Sequence, residues 1–135
     1  MNARPRLPWL VAVQGDDVLG FAYASGHRAR DAYRWAADAS VYLDVSQRGR
    51  GIGRALYDAL VPMVRELGYV TLHAGIALPN DASRRLHESM GFELVGVYRN
   101  VGYKTGAWHD VGWWQLPLRE PPADPDEPRE WVSPR

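Results

Sequence analysis

The sequence predicts an α/β (α+β) domain in which a mixed sheet carries a strand-helix-strand unit. "SVYLDV" alternates, with Val41, Leu43 and Val45 on one face and Ser40, Tyr42 and Asp44 on the other, as a half-buried strand does. The period then changes. Ile52, Ala55, Leu56, Ala59, Leu60, Met63, Val64 and Leu67 form an apolar stripe at helical spacing, opposite mainly Arg54, Asp58, Arg65 and Glu66. "YVTLHAGI" supplies another buried strand, and a right-handed connection makes residues 41–45 and 69–76 parallel neighbours.

The other elements follow from local signals. "WLVAV" from Trp9 and "VLGFAYAS" from Val18 are short and rich in β-branched or aromatic residues, and "QGDD" between them makes an antiparallel hairpin. "GHRARDAYRWAAD" interrupts the pattern with charge. Within the long helix, Pro62 removes a backbone donor and predicts a bend; Gly68 suits a left-handed C-terminal cap. After "LPND", Asn80 or Asp81 can cap a second helix, "ASRRLHESMG", with Ala82, Leu86 and Met90 inward and Gly91 ending it. Two late strands, near residues 94–103 and 109–116, are joined by "KTGA". From Pro117 onward the chain holds six of its ten prolines and few apolar residues. Residues 1–118 are therefore read as one domain and 119–135 as an extended or disordered tail.

Composition narrows the function. The chain has 135 residues, 46% apolar and 11% aromatic, enough for a single core. Sixteen basic residues balance sixteen acidic ones, so no overall field points to nucleic acid or an anionic membrane. The absence of cysteine removes disulfides, thiolate metal sites and a cysteine nucleophile. No metal is expected. The run in "MNARPRLPWLVAV" is too short and interrupted for a signal peptide or membrane span, which makes a cytoplasmic protein the expectation.

"QRGRGIG" stands where the strand hands over to the helix. A tight turn alone can call for such glycines. The helix start also presents unpaired donors and a partial positive charge, with Arg48, Arg50 and Arg54 beside it, so a pyrophosphate fits. A Walker loop is excluded, since Arg54 and Ala55 follow Gly53 where Lys and Ser or Thr would be needed. The dinucleotide spacing G-x-G-x-x-G/A leads from Gly49 and Gly51 to Arg54, or from Gly51 and Gly53 to Leu56, and is poorly met.

What remains is R-x-x-G-x-G on Arg48, Gly51 and Gly53, which resembles the acetyl-CoA-binding motif of the GCN5-related N-acetyltransferase (GNAT) superfamily. "YRWAADASVYLDVSQRGRGIGRALYDAL", "AGIALPNDAS", "RLHESMGF" and "WHDVGWWQ" resemble the phosphinothricin N-acetyltransferase branch, over about residues 8–118. The resemblance implies a central, mostly antiparallel mixed sheet and acetyl-CoA as co-substrate. It implies transfer of acetyl to the amino group of a small amino-acid-like acceptor, such as phosphinothricin or methionine sulfoximine or sulfone. Without cysteine, direct attack in a ternary complex is favoured over an acetyl-cysteine intermediate.

The implied cofactor residues are Val41, Tyr42 and Leu43, whose backbone would pair with the pantetheine arm and stabilise the oxyanion. Arg48, Gly49, Arg50, Gly51, Ile52, Gly53 and Arg54 form the pyrophosphate cradle, with Asn80 and Ser83 at the second helix. Asp38 stands where related enzymes place a basic glutamate. It is one methylene shorter, so a bridging water or altered base is expected. His87 matches the position of a thiolate-protonating group, as acid, base or shuttle. Arg28, Arg30, Tyr33 and Tyr42 match acceptor-pocket positions, where guanidinium groups suit a carboxylate or phosphinate. A homodimer is expected, with "VGWWQL" available to core or interface. Superfamily members begin with a strand and one or two helices, whereas eight residues precede Trp9 here. That departure implies either a late gene start or a short form whose missing wall is supplied by a partner subunit or not at all. The alternative function is an acetyl-CoA-binding remnant with little or no catalysis.

Overall fold

The computed structural model describes residues 6–28, 31–47 and 49–132. Two hairpin strands, β1 (Trp9–Gln14) and β2 (Asp17–Gly26), precede β3 (Ala36–Leu43) and the helix α1 (Ile52–Glu66). Then come β4 (Thr71–Leu78), α2 (Asp81–Ser89), β5 (Glu93–Lys104) and β6 (Ala107–Pro117). They form one six-stranded sheet of order β1-β2-β3-β4-β6-β5. Only β3 and β4 pair in parallel, so the sheet is mixed and mostly antiparallel around a β-α-β unit.

The parallel contact is not where the alternation placed it. β3 starts at Ala36, four residues before the alternating run, and Val45 falls in a following 3-10 turn. The parallel pairs are Ala36 with Thr71, Ala37 with Leu72 and Asp38 with His73, so residues 41–45 do not pair with β4 as expected. Each strand is held by its outer neighbour instead. β2 bonds β3 from Ala37 to Leu43, while β6 bonds β4 along its length to Leu78. The two strands therefore part beyond Asp38, and among the described residues the inner edge of residues 41–43 has no strand partner.

Both faces of the sheet follow from strand alternation. On one face α1 packs Leu56, Tyr57, Leu60, Val61 and Val64 into a core with Ala22, Ala24, Ala37, Ala39, Leu72, Ala74, Ile76 and Trp114. The strand alanines let the helix approach closely, and each fully buried side chain such as Leu60 or Val64 contributes roughly 1.5–3 kcal/mol. The buried stripe is rotated from the expected one: Ala55 and Ala59 are exposed, whereas Tyr57 and Val61 are buried. α1 continues through the exposed Pro62 to Glu66, and Gly68 follows at φ 104°. Asn80 caps α2 by accepting from the Ser83 amide at 3.1 Å. The buried residue of α2 is His87, while Ala82, expected inward, is exposed.

The opposite face carries an aromatic row. Trp9 stacks on Tyr23 with ring centroids 4.3 Å apart, and Phe21 meets Tyr42 at 5.1 Å. Further along this face stand Asp38, His73, Trp113 and Gln115, by their alternation with buried neighbours. Residues 118–132 contain no helix or strand and turn back over the end of α1. The Arg129 amide donates to the Leu67 carbonyl at 2.7 Å, Trp35 Nε1 donates to the Asp126 carbonyl at 2.8 Å, and Pro128 is buried. Among the described residues, no helix is long and apolar enough to cross a membrane.

Candidate active site

Two cavities of different construction lie on the two faces of the sheet. The first, about 260 Å³, is lined by Val41, Leu43, Gly49, Gly51, Gly53, Asn80 and Ser83, together with Ile52, Arg54, Ala82 and Leu86. Its floor is the start of α1. Gly51 is the N-cap residue at φ 76°, a left-handed conformation that other residues resist. Its side-chain-free position leaves the helix uncapped, and the first helical bond runs from the Ala55 amide to the Gly51 carbonyl. The preceding amides of the first turn have no partner within the helix and form an anion-binding end. At Gly53 the reason is packing, because a Cβ there would stand 3.0 Å from Leu86 Cδ2 and 3.5 Å from Leu43 Cδ1.

The arginines around this turn are differently placed. Arg50 donates to the side chain of Gln47, and Arg54 reaches the Ser89 carbonyl at 3.4 Å and Asp58 at 3.9 Å. Arg48 lies outside the described residues. Uncapped amides, the unpaired edge of residues 41–43 and a cavity joining them suit a phosphate group followed by an amide-bearing arm. Coenzyme A has that chemistry.

The second cavity, about 390 Å³, is built from side chains. His27, Arg28, His73, Trp113 and Gln115 line it with residues 95–98 of β5. Asp38 lies against two of these residues: His27 Nδ1 is 2.5 Å from Asp38 Oδ1, and His73 Nδ1 is 3.8 Å from the same oxygen. The register explains the meeting, since Ser25, Asp38, His73 and Gln115 are successive partners across four strands and His27 stands just past the end of β2. Burial pushes the His73 imidazole below its ordinary pKa, helped by His27, while Asp38 and the Ala37 carbonyl pull the other way. Arg28 lines the cavity; Tyr33 and Tyr42 do not, and Arg30 lies outside the described residues. Tyr42 stacks in the aromatic row instead.

His87 lines neither cavity. It is 3% exposed between α1 and α2, where Tyr57 Oη donates to its Nε2 at 2.7 Å and its Nδ1–H donates to the Ser83 carbonyl at 2.7 Å. Burial lowers its pKa, with the Ser83 carbonyl opposing, and burial raises that of the Tyr57 phenol, so both groups are neutral at pH 7. "VGWWQL" also resolves: Trp114 is core, and Trp113 walls the second cavity.

Sequence reasoning missed His27, His73 and the partnership of Tyr57. One signal was present. His73 is the one ionisable residue in an otherwise neutral strand, on the face opposite Leu72 and Ala74.

Known proteins share this fold. Residues 4–113 match the family model for the acetyltransferase (GNAT) domain. The chain is 44% identical over 120 residues to a phosphinothricin N-acetyltransferase of Streptomyces viridochromogenes, covering 89% of this chain and 65% of that protein. It is 38% identical to an L-methionine sulfoximine/L-methionine sulfone acetyltransferase of Salmonella typhimurium, covering 84% and 66% respectively. The chain thus spans just under two thirds of the length of either relative. A solved GNAT superfamily phosphinothricin acetyltransferase from Sinorhizobium meliloti, in complex with acetyl-CoA, superposes with TM-score 0.82 at 40% identity, over 95% of this chain and 69% of that one.

Proposed function

Because the chain belongs to the acetyltransferase (GNAT) family, we propose that it transfers an acetyl group from acetyl-CoA to the amine of a small amino-acid-like acceptor. The observation that carries this reading is the parting of β3 and β4 beyond Asp38, which leaves an unpaired strand edge in the anion-binding cavity, while a second cavity lined by His27, Arg28 and His73 lies on the other face of the sheet. Relatives named for phosphinothricin and methionine sulfoximine support the acceptor class. When bound, acetyl-CoA supplies the activated acyl group. The amides of the first turn of α1 hold its pyrophosphate, and the unpaired backbone of residues 41–43 orients its arm and polarises the acyl oxygen.

The acceptor must lose a proton to attack. Asp38 takes it through His27, which makes up for the shorter aspartate: the imidazole faces the cavity while the carboxylate orients it. Arg28 offers a cation for the acceptor's carboxylate. In this reading His87 is a positioning residue rather than the acid. It stays neutral and ties α1 to α2, the two helices that bound the donor cavity. The protein is cytoplasmic and homodimeric in this reading. The exposed Val95, Val97 and Tyr98 beside the acceptor cavity are the apolar surface a second copy would cover.

The test is a thiol-release screen with acetyl-CoA over phosphinothricin, methionine sulfoximine, methionine sulfone and the common amino acids. Release with at least one of these, with N-acetylated product seen by mass spectrometry, is the expected result. Acetyl-CoA binding without release for any amine would make the chain a cofactor-binding remnant.

A further inference from the structure

His27, Asp38 and His73 have the donor set of a metal centre, although nothing in the chain's composition suggested one. One ligand atom from each lies within 4.8 Å of the other two, and their side chains are only 18%, 22% and 14% exposed. The three come from the end of β2, from β3 and from β4, so the sheet itself holds them together. A second observation concerns one atom. Among the described residues, His73 Nδ1 is buried and makes no hydrogen bond of ordinary geometry, a condition buried polar atoms seldom tolerate.

The surroundings of His73 explain what that atom lacks. Its Nε2 is 3.4 Å from Thr71 Oγ1, and Thr71 in turn accepts from Gln115 Nε2 at 2.9 Å. In the tautomer that carries its proton on Nε2, donated to the threonine oxygen, Nδ1 presents a lone pair towards the Asp38 carboxylate. Two acceptors then face each other across 3.8 Å. A cation between them satisfies both. Backing the outer nitrogen of a ligating histidine with a hydroxyl is also how outer-shell groups fix a tautomer for metal binding.

We propose that His27, Asp38 and His73 bind a divalent first-row transition cation of the zinc class. Two imidazoles and one carboxylate suit zinc, cobalt or nickel better than magnesium or calcium. At ligand distances of about 2.0–2.2 Å, donor atoms in a tetrahedral site stand roughly 3.3 Å apart. The present separations of 2.5 and 3.8 Å fall on either side of that value, so His27 withdraws slightly and His73 closes in. The fourth position opens to the cavity lined by His27 and His73. The cation therefore occupies the groups that would take the acceptor's proton, and it inhibits acetyl transfer without touching the donor cavity. That consequence rests on the proposed acetyl transfer; cation binding does not.

The experiment is titration of the metal-stripped full chain with Co²⁺, followed by its visible d–d absorption, then displacement by Zn²⁺, with calorimetry of acetyl-CoA binding in parallel. One equivalent of Co²⁺ with tetrahedral-type bands, displaced by Zn²⁺, is expected. His73→Asn should weaken binding by more than the roughly 10–100-fold that loss of an outer-shell partner costs. His27→Gln is the second variant should His73→Asn fail to fold, as judged by circular dichroism. Acetyl-CoA affinity should be the same with and without Zn²⁺. Absence of bands and of heat from Zn²⁺ would overturn the site, as would equal binding by wild type and a folded His73→Asn or His27→Gln. Cation binding without any acetyl transfer would retain the site and remove the enzymatic reading.

Discussion

The donor and acceptor sides of the strand gap are built from different materials. The donor side uses backbone: an uncapped helix start at Gly51 and a strand edge whose pairing with β4 ends at Asp38. The acceptor side uses side chains, with Asp38 and His73 from β3 and β4 and His27 from just past the end of β2. A backbone site tolerates varied side chains but depends on the few positions where conformation or space is fixed. A side-chain site depends on each named group. Substitutions should therefore separate the two sides cleanly.

The largest separation is expected at Asp38. Asp38→Asn removes the carboxylate that orients His27, and loss of a general base lowers turnover by ~10²–10⁴-fold. Acetyl-CoA affinity by calorimetry should be unchanged; a parallel loss of both would show that the sides are not independent. His87→Ala comes next. It leaves a buried void and an unsatisfied Tyr57 hydroxyl, for a stability loss of roughly 2–4 kcal/mol, read as a lower denaturation midpoint. Its turnover per folded molecule should fall far less than that of Asp38→Asn. An equal fall would restore His87 to direct chemistry.

Gly51→Val tests the backbone side. Forcing a β-branched residue into the left-handed conformation costs about 1–2 kcal/mol, or moves the amides that face the cavity, and about tenfold weaker acetyl-CoA binding is expected. The acceptor KM should not change. The smallest effect concerns pH. The folded-state pKa of His87 lies below its unfolded value, so the unfolded chain binds more protons as pH falls below about 6.5. Stability from this group is complete above that pH and is lost progressively below it. His87→Gln should flatten the acid side of the stability profile, leaving the part due to His73; an unaltered slope would contradict the neutral, buried imidazole.

The same contrast explains what could be read in the sequence. Gly51 and Gly53 announce themselves because a backbone requirement leaves its mark at consecutive positions, next to a clear change from strand to helix period. β3 was placed four residues late because Ala36, Ala37 and Ala39 carry weak strand preference, and their strand conformation comes from pairing, Ala36 with β4 and Ala37 and Ala39 with β2 beneath α1. That late start hid the short parallel contact and with it the strand gap. Tyr57 was missed because a helical stripe counted through Ala55 and Ala59 points one position away from the buried face. His27 and His73 lie far apart in the chain and meet only through register, which no local spacing records.

Hydrogen exchange of the full chain with and without acetyl-CoA addresses the division of the site most directly. Added protection confined to residues 41–43 and the first turn of α1, residues 52–54, is the expected result, with residues 27–28, 73 and 95–98 unaltered. Protection centred on the second group, with none at the glycine turn, would contradict a donor site made of backbone on the helix side of the sheet.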